Sequence, residues 1–419
     1  MKKLITSLLG PERTLNLVQS VLRAKVHGRR WVTRMPLYAS AFPLRIFSEK
    51  EGQVFFGYYD LTPFSADEQF LLAMHAPTSN RARIVGTEIS VGFYDLYLEK
   101  PVFQEVGKTS TWCWQQGCRL QWVPGKRAIL YNRLVDGHYG AVIQDIDSKN
   151  ILKSFKRALY AISPDGLWAL SLNFSRLQRL RPGYGYSNLP DLTEDQSAPE
   201  NDGVWRINLK TGEEKLLFST EDIANFKVLQ NLKNAEHYFN HLEWSPTGDR
   251  FSFFHLWIQE KKRYSRLILC GKDSEDMRVL IGEGHVSHIG WKNEEELLAY
   301  STHADTGRNF HNYHLSTGTR EVVGQGVLIQ DGHPSFFPDG ETLLTDTYPD
   351  SWREQHLIRY HLPSKTFEKL GTFFSPFNFQ GVVRCDLHPR ISPSGRFVCI
   401  DSPHTGRRAL VVMDLQFKQ

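Results

Sequence analysis

The chain has little cysteine: five residues, at 113, 118, 270, 385 and 399, an odd number and scattered. That excludes a paired disulfide framework and favours a reducing compartment. Cys113 and Cys118 are too widely spaced for a redox pair and have no matching second pair, which argues against a zinc ribbon. No run of about 18 apolar residues occurs, so no segment reads as membrane-spanning. The apolar stretch after Met1-Lys2-Lys3 stops at Gly10-Pro11-Glu12-Arg13, too early for a signal peptide with its cleavage site. The chain therefore reads as cytoplasmic. There is no Gly-x-Ser-x-Gly, hence no serine-hydrolase domain. A phosphate-cradling glycine loop and a dinucleotide fingerprint are also missing. The formal net charge is only +4, and with no nucleic-acid module or dense lysine stripe, nucleic acid is not an expected partner.

What is present is a repeat. Seven turns recur, centred on Ser65-Ala66-Asp67, Val123-Pro124-Gly125, Ser163-Pro-Asp-Gly166, Ser245-Pro-Thr-Gly248, Lys292-Asn-Glu294, Phe337-Pro-Asp-Gly340 and Ser392-Pro-Ser-Gly395. Proline presets φ in such turns, and glycine tolerates positive φ. A short apolar strand follows each turn, then a second hairpin such as Val204–Phe218 or His356–Leu370. Four strands per repeat predict an all-β, seven-bladed propeller. Two regions are expected: a basic helical extension over 1–42 and the propeller over 43–419. The seventh repeat runs out after its third strand, so Pro43–Ser48 is expected to supply the missing outer strand and close the ring.

Four repeats carry histidine at one register: His241-Leu-Glu-Trp, His288-Ile-Gly-Trp, His333-Pro-Ser-Phe and His388-Pro-Arg-Ile, each just ahead of its turn. Stacking around an axis should bring the four imidazoles together. The second repeat places Arg119 there instead. The expected metal ligands are His288, His333, His388 and Asp331, and imidazole with carboxylate suits a divalent ion such as Zn or Mn. Asp386 and Asp331 are ligands or acceptors that fix the imidazole tautomers. The alternative is a hydrogen-bonded His/Asp plug without metal.

In a four-stranded blade the loops entering strand one and those joining strands two and three share a face. The histidine register lies there. The loops on that face bring His75 with Arg81 and Arg83, Arg133 with His138, and a long third-repeat insertion with Arg176, Arg181, Tyr184 and Tyr186. The opposite loops are ordinary polar turns. A concave face rich in imidazole, guanidinium and tyrosine suits an anionic, hydroxylated ligand. The expected catalytic groups are His75, His138, Tyr184, Arg181 and His241. Arg119, Arg133, Arg176, Tyr186 and Tyr59 are expected to bind substrate. Tyr58-Tyr59-Asp60 either lines the mouth or seals the ring closure. Leu189–Asn201, rich in proline and acid, reads as the mobile part of the insertion.

Thr14–Lys25 reads as an amphipathic helix with Leu15, Val18, Val21 and Leu22 on one face, followed by Arg29, Arg30 and Arg34. Two readings stand: peripheral contact with a membrane or protein, or packing on the propeller with a solvated basic tail.

The seven-bladed pattern with channel-mouth histidines resembles the oligogalacturonate lyase family. Phe56-Gly-Tyr-Tyr-Asp60 and the Arg/Tyr-rich third-repeat loop resemble the propeller-type ulvan lyases. The first resemblance implies His241 as the base that takes the proton α to a uronate carboxylate, with His288 and His333 on a metal that neutralises that carboxylate. The second implies His138 or His75 with Tyr184 for the proton work and Arg181 on the carboxylate. The expected function is a carbohydrate-active lyase cleaving a uronate-containing glycan by β-elimination. The alternative is a non-catalytic propeller that binds an acidic glycan or a protein, with a place in polysaccharide assembly.

Overall fold

The computed structural model describes residues 11–80, 85–228, 232, 234–282 and 284–418; Arg81 and Arg83 lie outside them. Seven antiparallel sheets form a seven-bladed propeller. The first blade runs Gln53–Phe55, Phe70–Ala76, Ile89–Asp95, Gln104–Thr109, from axis to rim, and the next four repeat this order. The turns fall where Pro and Gly predict. Gly125, Gly166, Gly248, Gly340 and Gly395 all have positive φ, the region that costs glycine nothing.

The ring closes as expected. Leu44–Phe47 pairs antiparallel with Ala409–Asp414, Leu44 opposite Met413 and Phe47 opposite Leu410. One strand was not foreseen: Tyr38–Ser40 adds a fifth strand to the sixth blade, against Gly371–Phe373. Its three residues follow a basic helix and carry too short an alternation to read as a strand.

The core lies between blades and is rich in aromatic side chains, with Phe251, Phe253 and Trp244 packing from the fourth blade and Phe55, Trp112 and Trp114 from the first two. Helix α1 (Pro11–Thr33) is longer than the expected Thr14–Lys25. It packs on the sixth blade through Val26, His27 and Arg30. Of the apolar face read at Leu15, Val18, Val21 and Leu22, the last three are exposed, and the Leu15 side chain lies outside the described ones. Among the described residues no helix is long and apolar enough to cross a membrane.

Candidate functional site

The site begins with a diversion of the chain. After the innermost strand of the first blade, Phe56–Asp60 leaves the sheet and crosses the axis. Asp401 accepts hydrogen bonds from the Phe56 and Gly57 amides at 3.0 and 3.3 Å, and Arg390 donates to Asp401 and to the carbonyls of Gly57 and Tyr58. Gly57 has φ +114°, and a Cβ there would meet the Gln116 and Gly117 backbone at about 3 Å. Only glycine fits. Tyr58 and Tyr59 are thereby driven into the channel. The Tyr59 hydroxyl donates to the Ile289 carbonyl at 2.8 Å and accepts from its amide at 3.0 Å, pinning the segment to the fifth blade.

The four histidines converge on this plug. Ring centroids are 6.4 Å apart for His241–His288, 4.3 Å for His288–His333 and 4.4 Å for His333–His388. Tyr58 touches His241, His333 and His388, and Tyr59 touches His288 and His333. All four imidazoles are buried. At the shared register His241, His388 and Arg119 have φ of 51°, 45° and 55°. Left-handed backbone is rare for such residues and tends to collect at functional sites.

Hydrogen bonds set the tautomers. His288 Nδ1 donates to Asp331 at 2.8 Å, His333 Nδ1 to Asp346 at 2.8 Å, and His388 Nδ1 to the Gly57 carbonyl at 2.7 Å. A carboxylate or carbonyl can only accept, so each of these protons sits on Nδ1 and the lone pair is left on Nε2. Asp346 also accepts the backbone amides of His333 and His388, tying the sixth and seventh blades together. His241 differs: Asn240 engages its Nε2 at 3.2 Å.

A divalent ion fits this donor set. Ligand atoms of His333, Asp386 and His388 lie within 4.8 Å of one another, and the three residues are buried. Among the described residues His333 Nε2, His388 Nε2 and Asp386 Oδ1 have no hydrogen-bond partner, which is uncommon for buried polar atoms. Burial alone would depress His333, but Asp346, then Asp386 and Asp331, raise it above the ordinary range. The surroundings thus favour positive charge at this point, as a proton or as a metal. Burial and the neighbouring cations hold His241 and His388 neutral. Asp331, expected as a ligand, stands behind His288 as its Nδ1 acceptor. Asp386 takes the place beside His333 and His388.

Tyr184 overhangs the cluster, 6.2 Å from Tyr58 and 6.4 Å from His241 between ring centroids. Arg384 donates to its hydroxyl and to Asp386, and the Arg181 guanidinium lies 4.1 Å from its ring centroid. Burial pushes the phenol up, but Arg384 and Arg181 outweigh it and bring it below its ordinary value. Tyr348 completes the rim, 5.7 Å from His333.

The structure thus joins His241, His288, His333, His388, Tyr184, Arg181, Tyr59 and Asp331. It does not bring His75, His138 or Arg133 into these ring contacts. His75 Nε2 meets the Glu51 carbonyl at 2.9 Å. His138 is exposed beside a separate cavity of about 570 Å³ that Lys156, Arg157 and Asn173 also line. Arg133 is half-buried in the neighbouring strand of that hairpin.

Three further residues expected to bind substrate are spent on the protein itself. Arg119 forks Asp60 at 3.0 and 2.8 Å, donates to the Tyr160 carbonyl and is fully buried. Tyr186 stacks on Phe174 at 4.4 Å and accepts from Asn132. Arg176, on helix α2 (Phe174–Leu180), donates to the carbonyls of His237, Thr193, Gln196 and Ser197. That clamp also corrects the reading of Leu189–Asn201 as mobile: its carbonyls are what a buried guanidinium needs. Asp346 and Arg384 were missed. Asp346 had a signal: it lies 13 residues after His333, and Asp401 repeats that spacing after His388. Arg384 sits in an irregular segment with no periodicity to place it.

No protein-family model and no curated protein matches the chain. Solved structures do. An oligogalacturonate lyase from Vibrio parahaemolyticus aligns over 91% of this chain and 99% of its own, with a TM-score of 0.60 and 15% identity. An oligogalacturonate lyase in complex with manganese covers 91% and 98%, with a TM-score of 0.60 and 14% identity. A chain of a mitotic checkpoint complex covers 90% and 95%, with a TM-score of 0.51 and 12% identity. At these identities the likeness is one of fold, and one fold serves unrelated tasks. The fold-level resemblance to oligogalacturonate lyase stands. The ulvan-lyase resemblance rests on its sequence motifs alone.

Proposed function

We propose that the chain is a lyase acting on a uronate-containing glycan, with the histidine mouth as its active site. The observation that carries this reading is the meeting of three Nδ1-anchored imidazoles and Asp386 beneath Arg181, Arg384 and Tyr184. β-Elimination needs three things: relief of the carboxylate charge, removal of the α-proton and protonation of the leaving oxygen. Arg181 and Arg384 are half-buried at the rim, where a guanidinium can take a carboxylate in a fork. Tyr184, eased toward its phenolate by the same two cations, is the proton carrier. His241, held neutral beside it, is positioned to assist. A zinc- or manganese-like ion held by His333, His388 and Asp386, with the His288 ring 4.3 Å from that of His333, would supply Lewis-acid neutralisation of the carboxylate. The manganese complex of one fold neighbour supports asking for that metal first.

A second reading is favoured by the burial of His333, His388 and Tyr184, none more than 3% exposed: the face binds an acidic glycan without turnover. Purified protein incubated with a panel of uronate oligosaccharides, with manganese or zinc added, separates the two. The proposal expects a rise in ultraviolet absorbance from the unsaturated product, lost in Tyr184→Phe and His333→Ala. Saturable binding with no absorbance change across the panel would leave only the second reading.

A further inference from the structure

We infer that helix α1 is an interfacial anchor that lays the propeller on a bilayer containing anionic lipid. Among the described residues the helix packs by one side only. Val26 is fully buried, His27 meets Phe374 and Phe377, Arg29 lies 4.0 Å from the Trp352 ring centroid, and Arg30 pairs with Glu354 at 3.2 Å. At 3.6 residues per turn, the arc opposite Val26 holds Leu17, Val21, Ala24, Gly28, Trp31 and Val32. That arc is apolar and faces water: Val21 is 60% exposed, Trp31 82% and Val32 72%. A helix covering a core in water shows the reverse arrangement.

Charge names the occupant. Residues 17–34 contain Arg23, Lys25, Arg29, Arg30 and Arg34 and no acidic residue; Glu354 offsets one of the five, and Arg23 and Lys25 lie over the Phe377 and Trp352 rings while remaining exposed. An apolar ridge with an exposed tryptophan and cationic flanks matches the headgroup layer of an anionic membrane. A second copy docked through this ridge would set cations against cations. Helix α1 also rests on Trp352 and Phe377, which belong to loops on the histidine side of the disc. Docking would therefore bring the histidine mouth beside the bilayer. The inference does not rest on the lyase reading.

The test is co-sedimentation of the full chain with phosphatidylcholine vesicles and with vesicles in which a third of the lipid is phosphatidylglycerol. Binding is expected to the second only, and to be released by molar salt. Val21→Glu with Trp31→Glu should weaken it by at least about tenfold, since insertion scales with buried apolar area. Lys25→Glu with Arg34→Glu, which keeps the ridge, should remove the preference for anionic lipid even if the first pair disturbs the helix. Failure to bind anionic vesicles, or binding unchanged in both variants, would overturn the inference. So would a dimer in solution dispersed by Val21→Glu, because a second copy would then cover the ridge.

Discussion

At the residue scale the chemistry depends on which nitrogen of each imidazole carries its proton. Asp346 does two jobs, holding His333 Nδ1–H and the backbone amides of His333 and His388. Asp346→Asn should lower manganese or zinc affinity by about 10–100-fold, as loss of a carboxylate behind a ligand histidine typically does; isothermal titration reads it directly. A second prediction concerns a histidine outside the site. In the fourth blade Arg266 Nε donates to His255 Nδ1, so His255 donates through Nε2 to His237. Burial, with Arg176 and Arg266 nearby, lowers His237 from 6.5 to about 4. The folded chain then binds fewer protons than the unfolded chain between those values. The contribution of His237 to stability is full above about pH 6.5 and is lost toward pH 4, up to about 3 kcal/mol at about 1.4 kcal/mol per pH unit. Urea midpoints across that range should show the slope, and His237→Gln should lessen it by this residue's share, since the buried neutral His241 and His388 keep theirs; an unchanged slope would contradict the assignment. The histidines at the mouth were legible because a repeat places equivalent residues at one radius. Arg119 and Arg176 were misjudged because sequence shows a charge and its loop, not the carbonyls and carboxylate folded around it.

At the element scale the ring is held by a strand from the far end of the chain. Leu44–Phe47 completes the last blade, and Phe47 is 1% exposed against Tyr94. Removing residues 1–42 should leave one cooperative thermal transition. Removing residues 1–48 should broaden or abolish it, because an open blade exposes an unpaired edge. Calorimetry on the two truncations separates these outcomes. The closure was legible because the seventh repeat visibly lacked a strand. The anchoring of the third-blade insertion was not, because a loop rich in proline and acid looks the same whether free or clamped. Its order comes from Arg176, and Arg176→Ala should release it. Limited proteolysis should then cut within residues 189–201, where the parent chain resists.

At the scale of the whole molecule, the propeller turns seven weakly similar repeats into one site. The axis gathers what no single blade could assemble: imidazoles from four blades, a carboxylate from the approach to the seventh, and a tyrosine and an arginine from the third. The fold was readable from spacing alone. The chemistry was only partly readable, because Arg384 and Asp386 reach the site through an irregular segment. The fold neighbours share the architecture at 12–15% identity, so the site itself must carry the functional argument. Its central claim is elimination, not hydrolysis or mere binding. Mass spectrometry of uronate oligosaccharides after incubation with the metal-supplemented protein tests this most directly. A fragment with a new non-reducing end, lighter by one water than the hydrolysis product, is expected, and it should be absent with Tyr184→Phe. Fragments with the hydrolytic mass, or intact oligosaccharides bound to unaltered protein, would contradict it.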